Sequence, residues 1–322
     1  MHYIDVFNGD ADGICALVQL RRHEPQQSTL ITGIKRDISL LKQIEYGDDS
    51  HITVLDISFE KNVNDVQRLL EQGASIDYID HHRTGALIRH DKLKIDINLS
   101  ADTCTSLIVD KRLQGKYRAW AITAAFGDNL VDKAMELGME TGFDQQQLAI
   151  LNELGTYINY NGYGANIDDL FFDPAELYQK LVDFDSPFDF LQQDNTTFTT
   201  LKEGYQHDMD KADDSPIIHS SDCITVIELP NEKWARRVSG VFGNELANRH
   251  PDKAHAIFTN KEDGSYLVSV RAPLNNKTGA DTLVSQFPTG GGRKSAAGIN
   301  ALPKTQLEKF IKIFEQQYTT QH

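Results

Sequence analysis

The chain has 322 residues, 40% of them hydrophobic, and its 47 acidic and 32 basic side chains give a formal net charge of −15. That is enough apolar material for about two packed domains, and the acidic balance argues against a protein that coats long nucleic acid, where basic surface supplies the affinity. Mean hydropathy is −0.42, no apolar stretch approaches the ~20 residues that span a bilayer, and a short anion held by a few arginines and metal ions stays compatible with these figures.

The pattern from the start reads as strand and helix in alternation. Tyr3–Phe7 is a short apolar run, and Ile14–Leu20 has the character of a helix. Thr29–Ile34 is β-rich, and Ile38–Ile44 carries apolar residues at helical spacing. Ile52–Leu55 and Ile76–Ile79 are strand candidates on either side of a helical Val63–Leu70. Short strands joined by helices of this length predict parallel βαβ units. From Ala101 the signal turns helical: Ser106–Leu113, Ala119–Phe126 and Gln145–Tyr157, then helices opening near Pro174 and Pro187. The polar run Lys211–Pro216 reads as a linker, so the boundary is placed between residues 212 and 213. Beyond it come strands at Ile224–Leu229, Ala256–Thr259 and Tyr266–Val270, with helices at Trp234–Leu246 and Gln306–Phe314. The expected fold is α/β: a doubly wound parallel-sheet domain over 1–212 with a helical connector, and a smaller α/β domain over 213–322.

The acids sit at informative places. Asn8-Gly9-Asp10-Ala11-Asp12-Gly13 follows the first strand candidate, Asp56 follows the third, and Asp80-His81-His82 follows the fourth. One Asp after a strand is ordinarily a cap or a turn residue. Three strand ends in one parallel array carry more weight, because ligands bind beyond the carboxyl ends of such strands. Carboxylates brought together there repel one another, and a divalent cation is the usual remedy. Oxygen and imidazole donors suit Mn²⁺ or Mg²⁺. The three cysteines, Cys15, Cys104 and Cys223, are scattered and odd in number, which fits a reducing cytoplasm and neither a disulfide framework nor a zinc knuckle. No signal peptide is expected from the first residues.

In the C-terminal half, Arg271 on a strand is followed by Gly290-Gly291-Gly292-Arg293 and then Ala296-Ala297-Gly298. Glycines let backbone N–H groups approach an anion closely, and arginines bind phosphate in a bidentate manner.

Taken in order, these motifs resemble the DHH phosphoesterase superfamily with its associated C-terminal substrate-binding domain, which includes RecJ-type exonucleases, nanoRNases and linear dinucleotide phosphodiesterases. The resemblance covers nearly the whole chain apart from roughly residues 140–210. It adds Asp128, after Ala124-Ala125-Phe126-Gly127, as a further site residue. It implies two Mn²⁺ ions, with Mg²⁺ as the alternative. Asn8 and Asp10 would hold one ion, Asp12, His81 and Asp128 the other, and Asp56 would bridge them. His82 would face the scissile phosphate, and Asp80 would support the imidazoles. Arg271, Gly290, Gly291, Gly292 and Arg293 would hold substrate phosphate, with the active site in a cleft between the domains. Two departures stand out: Asn8 occupies a place usually held by His or Asp, and Arg293 one usually held by His.

The implied function is a manganese-dependent phosphodiesterase of the cytoplasm, hydrolysing linear dinucleotides such as pGpG or pApA and very short oligoribonucleotides to mononucleotides. The alternatives are a RecJ-like single-strand DNA exonuclease and a catalytically weak nucleotide-binding sensor. No long duplex and no membrane is expected as a partner, and a homodimer is left open. Three further features keep bland readings. Asn159–Gly164 is a glycine-rich turn, with base stacking as the alternative. Lys35-Arg36 is surface, with phosphate as the alternative. Arg83 is either solvated or near phosphate.

Overall fold

A computed structural model describes residues 1–319, which divide into two compact units, Met1–Tyr205 and Gln206 onward. The first unit opens with β1 (His2–Phe7), α1 (Ala11–His23), β2 (Thr29–Ile31), β3 (Ser50–Leu55), α2 (Phe59–Glu71), β4 (Ser75–Asp80) and β5 (Leu93–Ile97). Helices follow: α3 (Thr105–Arg112), α4 (Arg118–Gly127), α5 (Val131–Thr141), α6 (Gln145–Asn161), α7 (Pro174–Leu181) and α8 (Pro187–Gln193). Helix α9 (Asn195–Asp213) carries the chain into the second unit.

All pairings in the first sheet are parallel, in the order β2-β1-β3-β4-β5. Alternate side chains serve opposite faces. Phe7, Leu55 and Ile79 pack with α1, α4, α6 and α7, while Val6, Val54 and Tyr78 pack with α2. A sheet buried on both faces is the doubly wound arrangement expected. Strand order reverses between β1 and β3, and that switch point is where such sheets open a crevice at their carboxyl ends.

The second unit begins within α9 and continues through β6 (Ile217–Ser220), β7 (Ile224–Leu229), α10 (Lys233–Arg249), β8 (Ala254–Asn260) and β9 (Ser265–Arg271). It ends with α11 (Ala280–Val284), β10 (Gly290–Gly292), β11 (Ala296–Pro303) and α12 (Leu307–Thr319). Its sheet order is β10-β11-β9-β8-β7-β6, with only β7 and β8 parallel. Phe258, Phe310 and Phe314 anchor its core. No helix among the described residues is long and apolar enough to cross a membrane.

Several local expectations need correction. Ile38–Ile44 forms only a short 3₁₀ turn at Leu41–Gln43. The buried Asn62 of α2 accepts from Leu41 N–H and donates to Ile38 C=O, and Arg68 donates to Leu41 C=O. Side chains of α2 thus satisfy this backbone without a helical ladder. The stretch Lys211–Asp213 is helical, so the residues read as a linker include the last turn of α9. The glycine triplet forms the short edge strand β10.

Candidate metal centre and anion site

The switch point is built from the loop after β1. Asp10 is the N-cap of α1: its Oδ1 accepts from the N–H groups of Asp12 and Gly13 at 3.0 and 3.1 Å. The turn is so tight that a Cβ on Gly13 would lie 2.2 Å from Asn8 O. Asp12, one step into the helix, points its carboxylate at the start of α3. Thr105 N–H and Ser106 N–H each donate to one of its oxygens at 2.7 Å. This arrangement serves a buried carboxylate and two otherwise unpaired helix N–H groups at once.

Asp56, directly after β3, has φ of 59°, a left-handed conformation that Asp tolerates better than most residues. It is buried, and Thr105 Oγ1 donates to its Oδ1 at 3.2 Å. From the end of β4, His81 Nε2 lies 3.3 Å from Asp56, 3.8 Å from Asp12 and 3.9 Å from Asp128. Asp128 caps the C-terminal end of α4. The neighbouring His82 gives its Nδ1 to Asp80 at 2.7 Å, and the two imidazole rings stand 4.4 Å apart. Asp80 therefore supports His82; its Oδ2 and the Oδ1 of Asn8 are buried without a hydrogen-bond partner.

The electrostatics follow from this crowding. Burial, then the charges of Asp12 and Asp10, push Asp56 well above the ordinary carboxylate range. The same causes raise Asp128 to about 6. Burial would raise Asp10 too, but the Lys35 ammonium outweighs it and holds Asp10 low. The hydrogen bond to Asp80 raises His82. Burial and the charge of Asp12 push the Cys104 thiol up, so it is no thiolate ligand.

A hard divalent cation fits these residues. Ligand atoms of Asp12, His81 and Asp128 lie within 4.8 Å of one another, as do those of Asp56, His81 and His82. The donors are oxygen and imidazole, and the raised carboxyls report negative charge in want of a counter-ion. Of the residues that the sequence motifs single out, the fold brings Asp12, Asp56, Asp80, His81, His82 and Asp128 together, with Asn8 and Asp10 in the loop after β1. Those motifs missed Thr105 and Ser106, whose part depends on backbone N–H groups that no side-chain pattern reveals. They also undervalued Lys35 and Asn159. Lys35 Nζ sits 2.7 Å from Asp10 and 2.8 Å from Asn159 Oδ1.

In the second unit, sheet register assembles the other motif. Arg271 pairs with Ala296 across β9–β11, and Gly292 pairs with Ala297 across β10–β11. Arg271 and the glycine triplet therefore flank the same end of β11. Arg271 lies along α10, donating Nε to Asn244 Oδ1 at 2.5 Å and Nη2 to Gly240 C=O at 3.0 Å, with Nη1 on Ser269. Arg293 is exposed. Two of the glycines answer to packing: a Cβ at Gly290 would meet Val284 O at 1.9 Å, and one at Gly292 would meet Ala297 Cα at 2.4 Å. Gly291 faces open space.

Comparison with known proteins agrees with this architecture. Residues 221–320 match the family model of the DHHA1 domain. No curated protein matches the chain in sequence. Among solved structures, exonuclease RecJ bound to manganese is similar over 98% of this chain and 89% of its own, at 14% identity and a TM-score of 0.63. RecJ of Thermus thermophilus in complex with Mn²⁺ gives 0.61 at 15% identity, over 98% of this chain and 51% of that one. PggH, a pGpG-specific phosphodiesterase of Vibrio cholerae, gives 0.60 at 14% identity over the full length of both. The fold is the RecJ-like two-domain α/β fold. Residues 221–320 thus carry the DHHA1 domain match, within a chain whose fold is shared with RecJ and PggH.

Proposed function

We propose that the protein is a metal-dependent phosphodiesterase that hydrolyses linear dinucleotides, of the pGpG or pApA kind, and very short oligoribonucleotides. The observation that carries this reading is the meeting of Asp12, Asp56, His81 and Asp128 at the switch point of the first sheet. These four residues would hold Mn²⁺, or Mg²⁺ in its place. When bound, the cation supplies Lewis acidity toward water and phosphate oxygen. Asp12 is oriented by the two N–H groups of α3, and Asp56 by Thr105 and its own backbone. Asp80 fixes the proton of His82 on Nδ1, which leaves Nε2 to exchange a proton with the leaving oxygen. In the DHHA1 unit, Arg293 and the outward-facing N–H group of Gly292 on the edge strand β10 are assigned to a terminal phosphate, with Arg271 beside them.

Two neighbours support a nucleotide substrate: RecJ is an exonuclease and PggH acts on pGpG. A net charge of −15 favours short substrates, since each phosphate beyond the site meets acidic surface. A labelled ladder of RNA and DNA lengths, incubated with Mn²⁺, tests this. Faster release of mononucleotides from dimers than from twenty-mers is the expected result. The opposite order puts a RecJ-like exonuclease ahead, and Mn²⁺-independent inertness toward every length puts a nucleotide sensor ahead.

A further inference from the structure

The acids at the switch point are not equally supplied with positive charge. Asp12, Asp56 and Asp128 all face the imidazole of His81. Asp10 faces an ammonium. Its Oδ1 is occupied by the two N–H groups it caps, and its Oδ2 lies 2.7 Å from Lys35 Nζ.

Lys35 is held from several directions. Its own N–H donates to Gly162 C=O at 2.7 Å, and its C=O accepts from Asn8 Nδ2 at 3.3 Å. Its Nζ donates to Asn159 Oδ1 at 2.8 Å, stands 5.8 Å from the centre of the Tyr163 ring, and lies 3.7 Å from Asp128. The last turn of α6 and the residues just after it therefore work as a bracket for this lysine, and the residue at position 8 holds its backbone.

Charge arithmetic points the same way. Asn8 is neutral, so positions 8 and 10 together offer one negative charge. Lys35 cancels it. Apart from Asp56, which it would share with the other ion, a divalent ion placed there would meet a ligand pair whose one charge is already met by an ammonium. The unpaired Oδ1 of Asn8 supplies a dipole and no charge.

We propose that Lys35 is a built-in cation that takes the place of one of the two metal ions, so that the centre binds a single divalent ion on Asp12, Asp56, His81 and Asp128. This rests on the metal-dependent reading above and alters its ion count. An ammonium has three N–H groups, and Asp10 and Asn159 take two. The third is available to a phosphate oxygen of the substrate, which the displaced ion would otherwise have met.

The test is metal stoichiometry, read on the full chain without any turnover. Isothermal titration with Mn²⁺, alongside the loss of the free-ion resonance in electron paramagnetic resonance, should give one ion per wild-type chain and no exchange-coupled pair. The double variant Asn8→Asp, Lys35→Ala places two carboxylates together with no opposing ammonium, and should bind two. Lys35→Arg keeps the charge and should stay at one. Circular dichroism confirms that each variant is folded. Two ions on the wild-type chain would overturn the role of Lys35 and leave the metal-dependent reading standing. No ion at all would overturn both. A double variant that folds and still binds one ion would show that Lys35 is not what excludes the second, and would equally overturn the proposal.

Discussion

The strand ends of the first unit and the glycine strand of the second both gather residues suited to phosphate chemistry, yet they handle charge in opposite ways. At the first, the carboxylates of Asp10, Asp12 and Asp56 are buried beside one another, and Asp56 and Asp128 are pushed above their ordinary range. At the second, the arginines are half-buried or exposed, and two of the three glycines are there because backbone crosses at their Cα atoms. The first site carries electrostatic stress that a cation relieves. The second carries packing constraint that no ligand relieves. Substitutions should therefore separate activity from stability at the first site and join them at the packed residues of the second.

The largest expected effect is at Asp56. Asp56→Ala should lower Mn²⁺-dependent turnover by on the order of 10²–10³-fold, the scale of removing a central electrostatic group. Because alanine is strained at the left-handed backbone of this position, the stability readout uses Asp56→Asn, whose metal-free melting temperature should hold or rise as one repelling charge is gone. A variant that keeps near-normal turnover would remove Asp56 from the centre and break the contrast between the two sites.

Next in size is Gly290. A methyl group there meets Val284 O at 1.9 Å, so Gly290→Ala should destabilise the second unit by about 1–3 kcal/mol or more. Gly291→Ala, in open space, should change stability by no more than about 0.5 kcal/mol. Equal melting temperatures for the two variants would mean that the triplet is not packed as described.

The difference between the sites also explains what was legible in the sequence. Asp56, Asp80, His81 and His82 are readable because each closely follows an apolar run, and a parallel sheet sends all such ends the same way. The strand Ile224–Leu229 is readable because Ile224, Val226, Ile227 and Leu229 make most of it apolar. Strand β11 is not, because Ala296-Ala297-Gly298 has little β-propensity and is held in the sheet by its two neighbours. Strand β5 alternates half-buried with exposed residues and reads as polar. Lys35 is hidden for a different reason. Its partners Asp10, Asn159 and Gly162 lie far along the chain, and nothing local marks a lysine in a loop as paired.

The arginines give the third contrast. Arg293→Ala should cost about 1.5–3 kcal/mol in kcat/KM on a 5′-phosphorylated dinucleotide if its charged hydrogen bonds to phosphate are lost. Bis-nitrophenyl phosphate, which lacks a terminal phosphate, should be cleaved at an unchanged rate. Arg271→Ala should show the same selectivity and also a lower melting temperature, because its bonds to Asn244 and Gly240 tie β9 to α10. Equal losses on both substrates would detach the arginines from terminal-phosphate binding.

The smallest effect, and the one that tests the electrostatic account most directly, is the pH dependence of the metal-free protein through Asp128. Burial and the charges of Asp12 and Asp10 raise this carboxyl from 3.8 to about 6. A group whose folded value is raised binds its proton more tightly in the folded state, so its stabilising contribution is present below the unfolded value and is lost as pH rises through the folded one. Metal-free wild type should therefore lose stability between about pH 4 and pH 7, by on the order of 1–3 kcal/mol from this group. Asp128→Asn does not titrate, so it should match wild type at pH 4 and melt several degrees higher at pH 8. Mn²⁺ should reverse the order at pH 8, because wild type then gains the stabilisation of a bound ion that the variant holds poorly. If the metal-free variant melts below wild type at pH 8, the carboxylate is being stabilised where it sits, and the charge stress that distinguishes the first site from the second is absent at Asp128.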